Sequence, residues 1–335
     1  MIIILSEISV KYKIKRYRYI IVVTYRHTMN KSDTDITMDE LLLQKIEEKK
    51  KRLDNLRPLS QDALQNLLED IRLRHTYHSD AIEGNTLTLQ ETKLVLEEGI
   101  TIGGKPLKDH MEARNDAEAF DVMMDLIRAK KELSQEIIQQ LHECVTKGIL
   151  QNPGQYRTGD IRVTGADVRP PSYLKIISLM DNYIKQIKKA GQHPIQKAVY
   201  IHHELVRIHP FYDGNGRVAR LLTNFYLMTE GYPIIIVKKE DRQKYYQALR
   251  KADHGDLSEF TLFIMQTVHE SLQHYLSSFI EEDRLISLKE IAAFSQYSQE
   301  YLSLRARQGK LDAVKIDNIW YSSKRAVKDY TKSMR

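Results

Sequence analysis

Between Asp39 and Glu282, apolar residues recur every three or four positions along most of the chain. This spacing places them on one face of an α-helix, so the sequence predicts a succession of amphipathic helices. Only 8 prolines and 14 glycines occur in 335 residues, which disfavours an all-β fold with many turns. No repeat of fixed period is present, so a helical solenoid is not expected. The predicted helices span residues 38–56, 61–76, 89–99, 107–130, 134–149, 173–190, 195–208, 215–230, 241–252 and 257–281.

The stretch 154–172 interrupts this helical pattern. Asp160–Val163 is followed by a turn at Gly165-Ala166-Asp167, and together they predict a short β-hairpin. A hairpin with no sheet to join is only marginally stable by itself. It could therefore serve as a flap over a site, and a plain surface loop is an equally good interpretation.

The net charge of +6 is concentrated at the two ends of the chain. Residues 1–28 carry +5 and residues 285–335 carry +5, which leaves −4 on residues 29–284. A basic end favours nucleic acid or an anionic membrane as a partner, and a solvated charged face explains it equally well. The single cysteine, Cys144, excludes an internal disulfide framework and a cysteine-based zinc finger. It fits the reducing cytoplasm, where we expect the protein to be located.

The first 28 residues differ in composition from the rest of the chain. Short apolar runs alternate there with lysines and arginines, and none approaches the ~18 apolar residues of a transmembrane helix. Glu7 and the lysines also interrupt the apolar block that a signal peptide needs. We therefore expect no membrane partner, and we interpret residues 1–28 as a non-native or disordered extension of a protein that starts at Met29.

The strongest chemical pattern is the twelve-residue segment His209–Arg220, HPFYDGNGRVAR, which lies between two predicted helices. Gly214 and Gly216 let the backbone approach a ligand closely. A glycine-rich turn that opens a helix directs backbone N–H groups at an anion, and the helix dipole adds positive charge there. Arg217 and Arg220 lie about one turn apart on this helix, where each can contact phosphate oxygens through two N–H groups.

Two further side chains add chemistry to this anion site. Asp213 supplies a hard oxygen ligand, and Mg²⁺ is usually held by one or two carboxylates together with substrate phosphates. His209 is the nearby group whose ordinary pKa is close to neutrality, as a general base requires. The segment lacks the Gly-Lys-Ser/Thr of a Walker A loop, and it does not follow a strand as a dinucleotide fingerprint would. The residues therefore predict a nucleotide-phosphate site with a metal and a base.

This segment resembles the signature of Fic (Fido) domain proteins, His-x-Phe-x-Asp/Glu-Gly-Asn-Gly-Arg-x-x-Arg, at every defined position. The resemblance implies a mainly α fold, a Fic/Fido helical core with a small β-hairpin flap. It also implies transfer of AMP from ATP to a hydroxyl side chain (Ser, Thr or Tyr) of a target protein. By this resemblance His209 deprotonates the hydroxyl, and Asp213 holds Mg²⁺ or Mn²⁺ on the α- and β-phosphates. The residues matching the phosphate-binding positions are Gly214, Asn215, Gly216, Arg217 and, for the γ-phosphate, Arg220.

The same resemblance assigns residues outside the motif. Tyr245 and Tyr246 match tyrosines on the adenine side of the nucleotide. Asp253 falls on that side too, at a position where related proteins often carry Asn. The flap would position the target peptide by strand addition, and its residues are Val163, Thr164, Gly165 and Ala166.

The segment Ser79–Gly84 resembles the inhibitory Ser/Thr-x-x-x-Glu-Gly/Asn helix of the same family. Ser79 and Glu83 are one helical turn apart, so both can face the same neighbour. Gly84 is a natural C-cap, which would leave the Glu83 carboxylate at the end of a helix. We expect Glu83 to pair with Arg220, to take the space that the γ-phosphate needs and to misalign bound ATP. In some relatives the same glutamate also aligns the water that removes AMP.

The basic C-terminal residues 285–335 predict a winged helix-turn-helix module. Ser287–Glu290 is a capping box that opens one helix, and Gln299–Gln308 forms a second. Ala313–Ile316 and Ile319–Ser322 flank a tight turn at Asp317-Asn318 and predict the wing. The pattern resembles DNA-binding modules of the MerR and excisionase type, and a module that contacts only protein is an equally good interpretation. The basic residues suited to phosphate contacts are Arg305, Arg307, Lys310 and Lys315.

These interpretations divide the chain into an extension, 1–28, an N-terminal helical region, 29–130, a Fic/Fido core, 131–275, and a winged helix-turn-helix, 285–335. The inhibitory motif, 79–84, lies in the second of these. The leading hypothesis is a self-inhibited protein adenylyltransferase that uses ATP and Mg²⁺, with removal of AMP as a second activity. The rival hypothesis is a DNA-binding regulator whose core is a sensor or transfers another phosphate-containing group. A homodimer is compatible with either hypothesis.

Overall fold

A computed structural model describes residues 38–163, 167–316 and 318–334 of the chain. The predicted extension 1–28 and the flap residues Thr164, Gly165 and Ala166 lie outside these described residues. The described part consists mainly of helices, as the apolar periodicity predicts. Within it, no helix is both long enough and apolar enough to cross a membrane.

Each helix predicted between residues 38 and 281 is present. Several begin at a side chain that pairs the N–H groups which the first turn of a helix leaves open. Thr88 and Glu91 form a reciprocal capping box at one start, and Ser134 accepts from Ile137 N–H at another. The helices are α1 (Glu40–Asp54), α2 (Gln61–Glu83), α3 (Leu89–Glu97), α4 (Leu107–Arg128), α5 (Gln135–Thr146), α6 (Ile176–Ile187), α7 (Pro194–Ile208), α8 (Asn215–Thr229), α9 (Arg242–Asp253) and α10 (Ser258–Phe279).

Helix α8 lies at the centre of this helical body. It packs against α7, α4, α5 and α2, and Val218, Leu221 and Leu222 on α8 have no exposed surface. A helix that is apolar over most of its circumference needs neighbours on nearly every side. This packing fixes the first turn of α8 relative to the end of α2 and to the loop that follows α7.

The C-terminal module contains the predicted helices and the predicted hairpin. Its elements are β1 (Ile286–Ser287), α11 (Leu288–Phe294), α12 (Gln299–Arg307), β2 (Ala313–Ile316), β3 (Ile319–Ser322) and α13 (Lys324–Ser333). The three strands form an antiparallel sheet in the order β1–β3–β2, with Lys315 opposite Trp320. The module has a small core of its own, formed by Leu288, Ile291, Leu302, Ala306, Leu311, Ala326, Val327 and Tyr330.

Buried ion pairs attach this module to the helical body. Asp312, just before β2, forms an ion pair with Lys49 of α1, and its other oxygen lies 2.9 Å from Nε2 of His269 on α10. Lys49 also donates to Gln273 of α10 at 2.6 Å. Burial lowers the pKa of Lys49, whereas the Lys49 and His269 side chains hold the pKa of Asp312 below its ordinary value against the effect of burial. The module and the body therefore share a charged, largely buried contact.

The stretch 154–172 differs from the predicted hairpin in its described part. Residues 154–163 and 167–172 form no strand. Arg157 ties the segment to the body instead, because its backbone N–H donates to the Pro210 carbonyl at 2.9 Å. Its guanidinium donates to the carbonyls of His209, Gly159 and Pro171 at 2.8, 2.8 and 2.5 Å. These bonds hold the segment as an open loop, and no described sheet lies beside it to pair with a strand.

We expect Asp312→Asn to lower the free energy of unfolding by about 3 kcal/mol, because it leaves the buried Lys49 ammonium without its anion. Urea denaturation of the full chain measures this change. Asp329→Asn is the matched control, since Asp329 is an exposed residue of α13 in the same module. Equal stability of the two variants would contradict the role given to Asp312.

Candidate active site

The predicted motif forms the loop between α7 and the first turn of α8. His209 ends α7 in the left-handed conformation, with φ of 51° and its N–H bonded to the Leu205 carbonyl at 2.9 Å. The Asn215 side chain then clamps the loop: its Oδ1 accepts from Phe211 N–H at 3.0 Å and its Nδ2 donates to Phe211 O at 2.9 Å. Phe211 has no exposed surface and stacks on His142. The Asn215 side chain thus shapes the loop, and its backbone N–H, in the first turn of α8, remains to face an anion.

Gly214 precedes α8 at a place that only glycine fits. Its φ is +79°, and a Cβ there would lie 2.9 Å from Cγ2 of Thr146. The left-handed conformation is unfavourable for residues with a Cβ. The first N–H groups of α8 therefore depend on Gly214 for their direction.

His209 has the tautomer that a general base needs. Its Nδ1 lies 3.1 Å from the Val206 carbonyl oxygen, which can only accept, so Nδ1 carries the proton and Nε2 keeps its lone pair. Burial lowers the pKa of His209, and the Arg157 guanidinium acts in the same direction. The imidazole is therefore neutral near pH 7 and able to take up a proton.

Arg220 is held by the predicted inhibitory motif. It is 4% exposed, its Nε donates to Ser79 Oγ at 3.0 Å, and its Nη2 donates to Ser79 O at 2.9 Å. The same Nη2 donates to Glu83 Oε1 at 2.8 Å. Burial lowers the pKa of Arg220, but the Glu83 carboxylate outweighs it and the net pKa lies above its ordinary value. Ser79 and Glu83 thus face the same arginine, as their spacing predicts.

The Glu83 carboxylate also lies against the first turn of α8. A Cβ added to Gly216, in the first turn of α8, would overlap Oε1 of Glu83. The second oxygen accepts from the Tyr246 hydroxyl at 3.3 Å. Gly84 ends α2 with φ of 106°, as predicted for a C-cap. A carboxylate of the chain itself therefore lies against the first turn of α8 and pairs with Arg220, which the motif predicts to be a phosphate contact.

Arg217 lies in a buried acidic environment. Its Nη1 is 3.9 Å from Asp80 of α2, its Nη2 is 3.7 Å from Glu112 of α4, and Nη1 donates to Val145 O at 3.3 Å. Burial and the nearby Asp116 raise the pKa of Asp80. The motif did not reveal these acids. The sequence does hold a signal for two of them: Glu112 and Asp116 fall on the same face of α4 as the apolar residues Ala113 and Phe120, which is the buried face.

Asp213 is an exposed acid of the site. Its Oδ1 accepts from its neighbour Gly214 N–H at 2.7 Å, and Lys108 Nζ lies 3.8 Å from Oδ2. The described residues contain no cluster of three or more His, Cys, Asp or Glu placed to hold a metal. A metal bound here would thus rely on this carboxylate and on phosphate oxygens. One buried arginine donor, Arg217 Nε, has no hydrogen-bond partner among the described residues, which fits an anionic ligand such as ATP.

The predicted nucleotide-side residues have different surroundings. Tyr246 joins the site through Glu83, and its pKa is raised to about 12, mainly by burial. Tyr245 is 1% exposed and its hydroxyl lies 2.7 Å from His202 Nε2, so it is a core residue behind the site. Asp253 pairs with His203 at 3.0 Å. Val163 is the one predicted flap residue that the structure describes, and it lies in the open loop.

The fold and the site define a class of mainly helical proteins in which a carboxylate of the chain itself lies against the first turn of a central helix. The Fic/DOC family model matches residues 132–227. A protein adenylyltransferase Fic from Drosophila persimilis is 35% identical over 248 residues, which cover 72% of this chain and 47% of that protein. A Fic domain containing signaling protein from Bacteroides thetaiotaomicron superposes with a TM-score of 0.65 at 27% identity, covering 70% of this chain and 97% of that one.

A fragment of Fic-1 from C. elegans superposes with a TM-score of 0.64 at 30% identity, covering 71% of each chain. The chain belongs to the Fic/DOC family. It spans about half the length of the curated relatives it matches.

We expect the imidazole of His209 to titrate below pH 6.5, because burial favours its neutral form. Folding lowers this pKa, so protonation as the pH falls opposes the folded state and lowers stability in that range. NMR detection of the histidine ring protons across pH 4–8 measures the midpoint. His209→Ala identifies the signal by its loss, and a midpoint above 6.5 would contradict the expectation.

Proposed function

We propose that the chain is a protein adenylyltransferase, which transfers AMP from ATP to a hydroxyl side chain of another protein and inhibits itself through Glu83. The observation that carries this proposal is the Glu83 carboxylate at the first turn of α8, bonded to Arg220 and against Gly216. A neutral histidine and a second buried arginine lie in the same motif. Relatives named protein adenylyltransferase Fic support the reaction.

In the proposed reaction the hydroxyl of the target gives its proton to Nε2 of His209. Its oxygen forms a bond to the α-phosphorus of ATP, the bond from that phosphorus to the β-phosphate breaks, and diphosphate leaves. Backbone N–H groups of Asn215 and Gly216 and the guanidinium groups of Arg217 and Arg220 bind the phosphates. Bound on Asp213, Mg²⁺ would neutralise charge that develops on the phosphates.

Self-inhibition follows from competition for one place. The γ-phosphate would need Arg220 and the space beside the first turn of α8. The Glu83 carboxylate bonds to that arginine and fills that space. Two like charges at this distance repel each other, so ATP would bind displaced from the in-line geometry. From the same position Glu83 could align a water molecule for attack on the AMP of a modified target. Removal of AMP is therefore the second activity that we propose.

The target would bind beside the loop that Arg157 anchors. Tyr212 lies at its base, is 52% exposed, and receives a hydrogen bond from Thr158 N–H at 3.3 Å. The described part of the loop, which includes Val163, presents backbone to which an extended segment could add. The predicted flap residues Thr164–Ala166 lie outside the described residues. We place this reaction in the cytoplasm, because a chain with a single cysteine fits a reducing compartment.

Glu83→Gly is expected to raise labelled-AMP incorporation at least tenfold, self-labelling included, because it removes the carboxylate from the first turn of α8. Glu83→Gly with His209→Ala should abolish the incorporation. Transfer from labelled ATP in host lysate, followed by mass spectrometry, measures both and identifies the modified side chain. Glu98→Gly, at the exposed end of α3, is the matched control for loss of a glutamate at a helix end. Equal labelling by Glu83→Gly and the parent would refute the inhibitory role.

A second candidate function is DNA binding by residues 285–335. Arg307 and Lys310, at the end of α12, and Lys315 on β2 are exposed, as phosphate contacts require. Arg305 instead stacks on the Tyr301 ring at 4.7 Å. In this alternative the core is a sensor or transfers another phosphate-containing group.

Arg307→Gln with Lys310→Gln should weaken duplex binding, and it should reduce the slope of log affinity against log salt by about 2, one unit per lost phosphate contact. Electrophoretic mobility shifts between 50 and 200 mM salt measure the slope. Lys328→Gln with Lys332→Gln, on exposed positions of α13, is the control of equal charge. Binding that does not depend on salt, or no binding at 50 mM salt, would argue against this candidate.

A further inference from the structure

An apolar cavity of about 170 Å³ lies between the helical body and the C-terminal module. Its walls come from α2 and α10, from the segment that follows α8, and from β2. The aliphatic side chains that line it are Ile71, Ile234, Ile236, Leu285, Val314 and Ile316. Cavities at such junctions are frequent ligand sites, because two units of structure close around the ligand.

We propose that this cavity binds a small aromatic carboxylate, and that occupancy of the cavity influences the Ser79–Arg220 contact. The size supports one aromatic ring, since an apolar cavity of about 150 Å³ is known to hold benzene. The volume of this cavity is close to that value.

The polar groups at the cavity define where the carboxylate lies. Arg74 of α2 lines the cavity, and both of its hydrogen bonds to Asp70 start from Nε. Its Nη groups can therefore receive a carboxylate through two parallel hydrogen bonds. Lys238 also lines the cavity, but it is paired with Glu270 at 2.7 Å. Asp70 and Glu270 thus balance the two positive charges, and Arg74 is set apart by its Nη groups, which Asp70 does not bond, at one end of the cavity.

The side chain of Ile236 separates the cavity from the contact between Ser79 and Arg220. Ile236 lines it and also lines a smaller cavity of about 10 Å³, room for roughly one water molecule, which Ser79 and Arg220 border. Arg74 lies on α2, little more than one turn before Ser79. A ring that presses on Ile236 and a carboxylate that holds Arg74 would therefore act on the wall and the helix that support the Ser79–Arg220 bonds. This second part of the proposal rests on the proposed function.

Titration of the full chain with benzoate tests the site directly. Benzoate at ten times its dissociation constant is expected to raise the thermal midpoint by about 2–4 °C. It should also change the fluorescence of Trp320, the single tryptophan, which lies on β3 opposite the lining strand. Benzyl alcohol, which has the ring without the charge, should bind about tenfold more weakly.

Two variants separate the ring from the charge. Val314→Phe fills the cavity and should abolish the response to both compounds. Arg74→Gln keeps the cavity and should remove the preference for benzoate over benzyl alcohol, whereas Arg72→Gln, on α2 but bonded to Asp121, should leave it unchanged. If Val314→Phe lowers stability, Arg74→Gln still decides the question, because its ion pair with Asp70 is exposed.

The outcomes distinguish the two parts of the proposal. No saturable response to benzoate, or one that Val314→Phe leaves intact, overturns the site. Equal binding of benzoate and benzyl alcohol by the parent overturns the carboxylate. Bound benzoate is expected to change labelled-AMP transfer by the parent and not by Glu83→Gly. If Glu83→Gly labels but benzoate leaves the parent's transfer unchanged, the link to Ser79–Arg220 is overturned and the proposed function is unaffected.

Discussion

The ion pair between Glu83 and Arg220 is the interaction on which the candidate site depends. It joins the end of α2 to the first turns of α8, the central helix of the body. An arginine that is almost wholly buried needs an anion, because an unpaired charge in the interior is costly. Glu83 is that anion in this structure, and in the proposed function a phosphate of ATP would be the other. The same requirement for a partner therefore stabilises the resting state and creates the place where a nucleotide would compete.

Buried polar groups continue from this pair towards α4. Asp80 and Glu112 lie near Arg217, and Glu112 also accepts from Asn85, just after the inhibitory motif, at 3.1 Å. Helix α2 thus faces both arginines of the motif within one turn. A displacement of α2 would therefore change the surroundings of Arg217 as well as those of Arg220. The cavity beside Arg74 lies against the same helix.

Particular residues show how far sequence could lead. The fold class and the helices followed from the apolar spacing, and the C-terminal hairpin followed from its turn, because these patterns are local. Ser79, Glu83 and Gly84 could be placed on one face and at one helix end by counting residues. The flap was a weaker prediction: a turn signal cannot show whether a neighbouring strand exists, and Arg157 holds the described arms as a loop. The pairing of Asp312 with Lys49 crosses 263 positions, and no local pattern reports such a contact.

The sequence by itself determined the chemical inventory: a histidine, an acid, two arginines and glycines in one loop, with a serine and a glutamate one turn apart upstream. These groups are fixed by order and spacing, which short-range geometry translates into faces and ends of helices. Only the tertiary structure decided that Glu83 lies against Gly216, that Arg217 is surrounded by acids of α2 and α4, and that β2 closes a cavity over α2. Those arrangements depend on how distant helices pack, and packing is set by the whole core and not by any single segment.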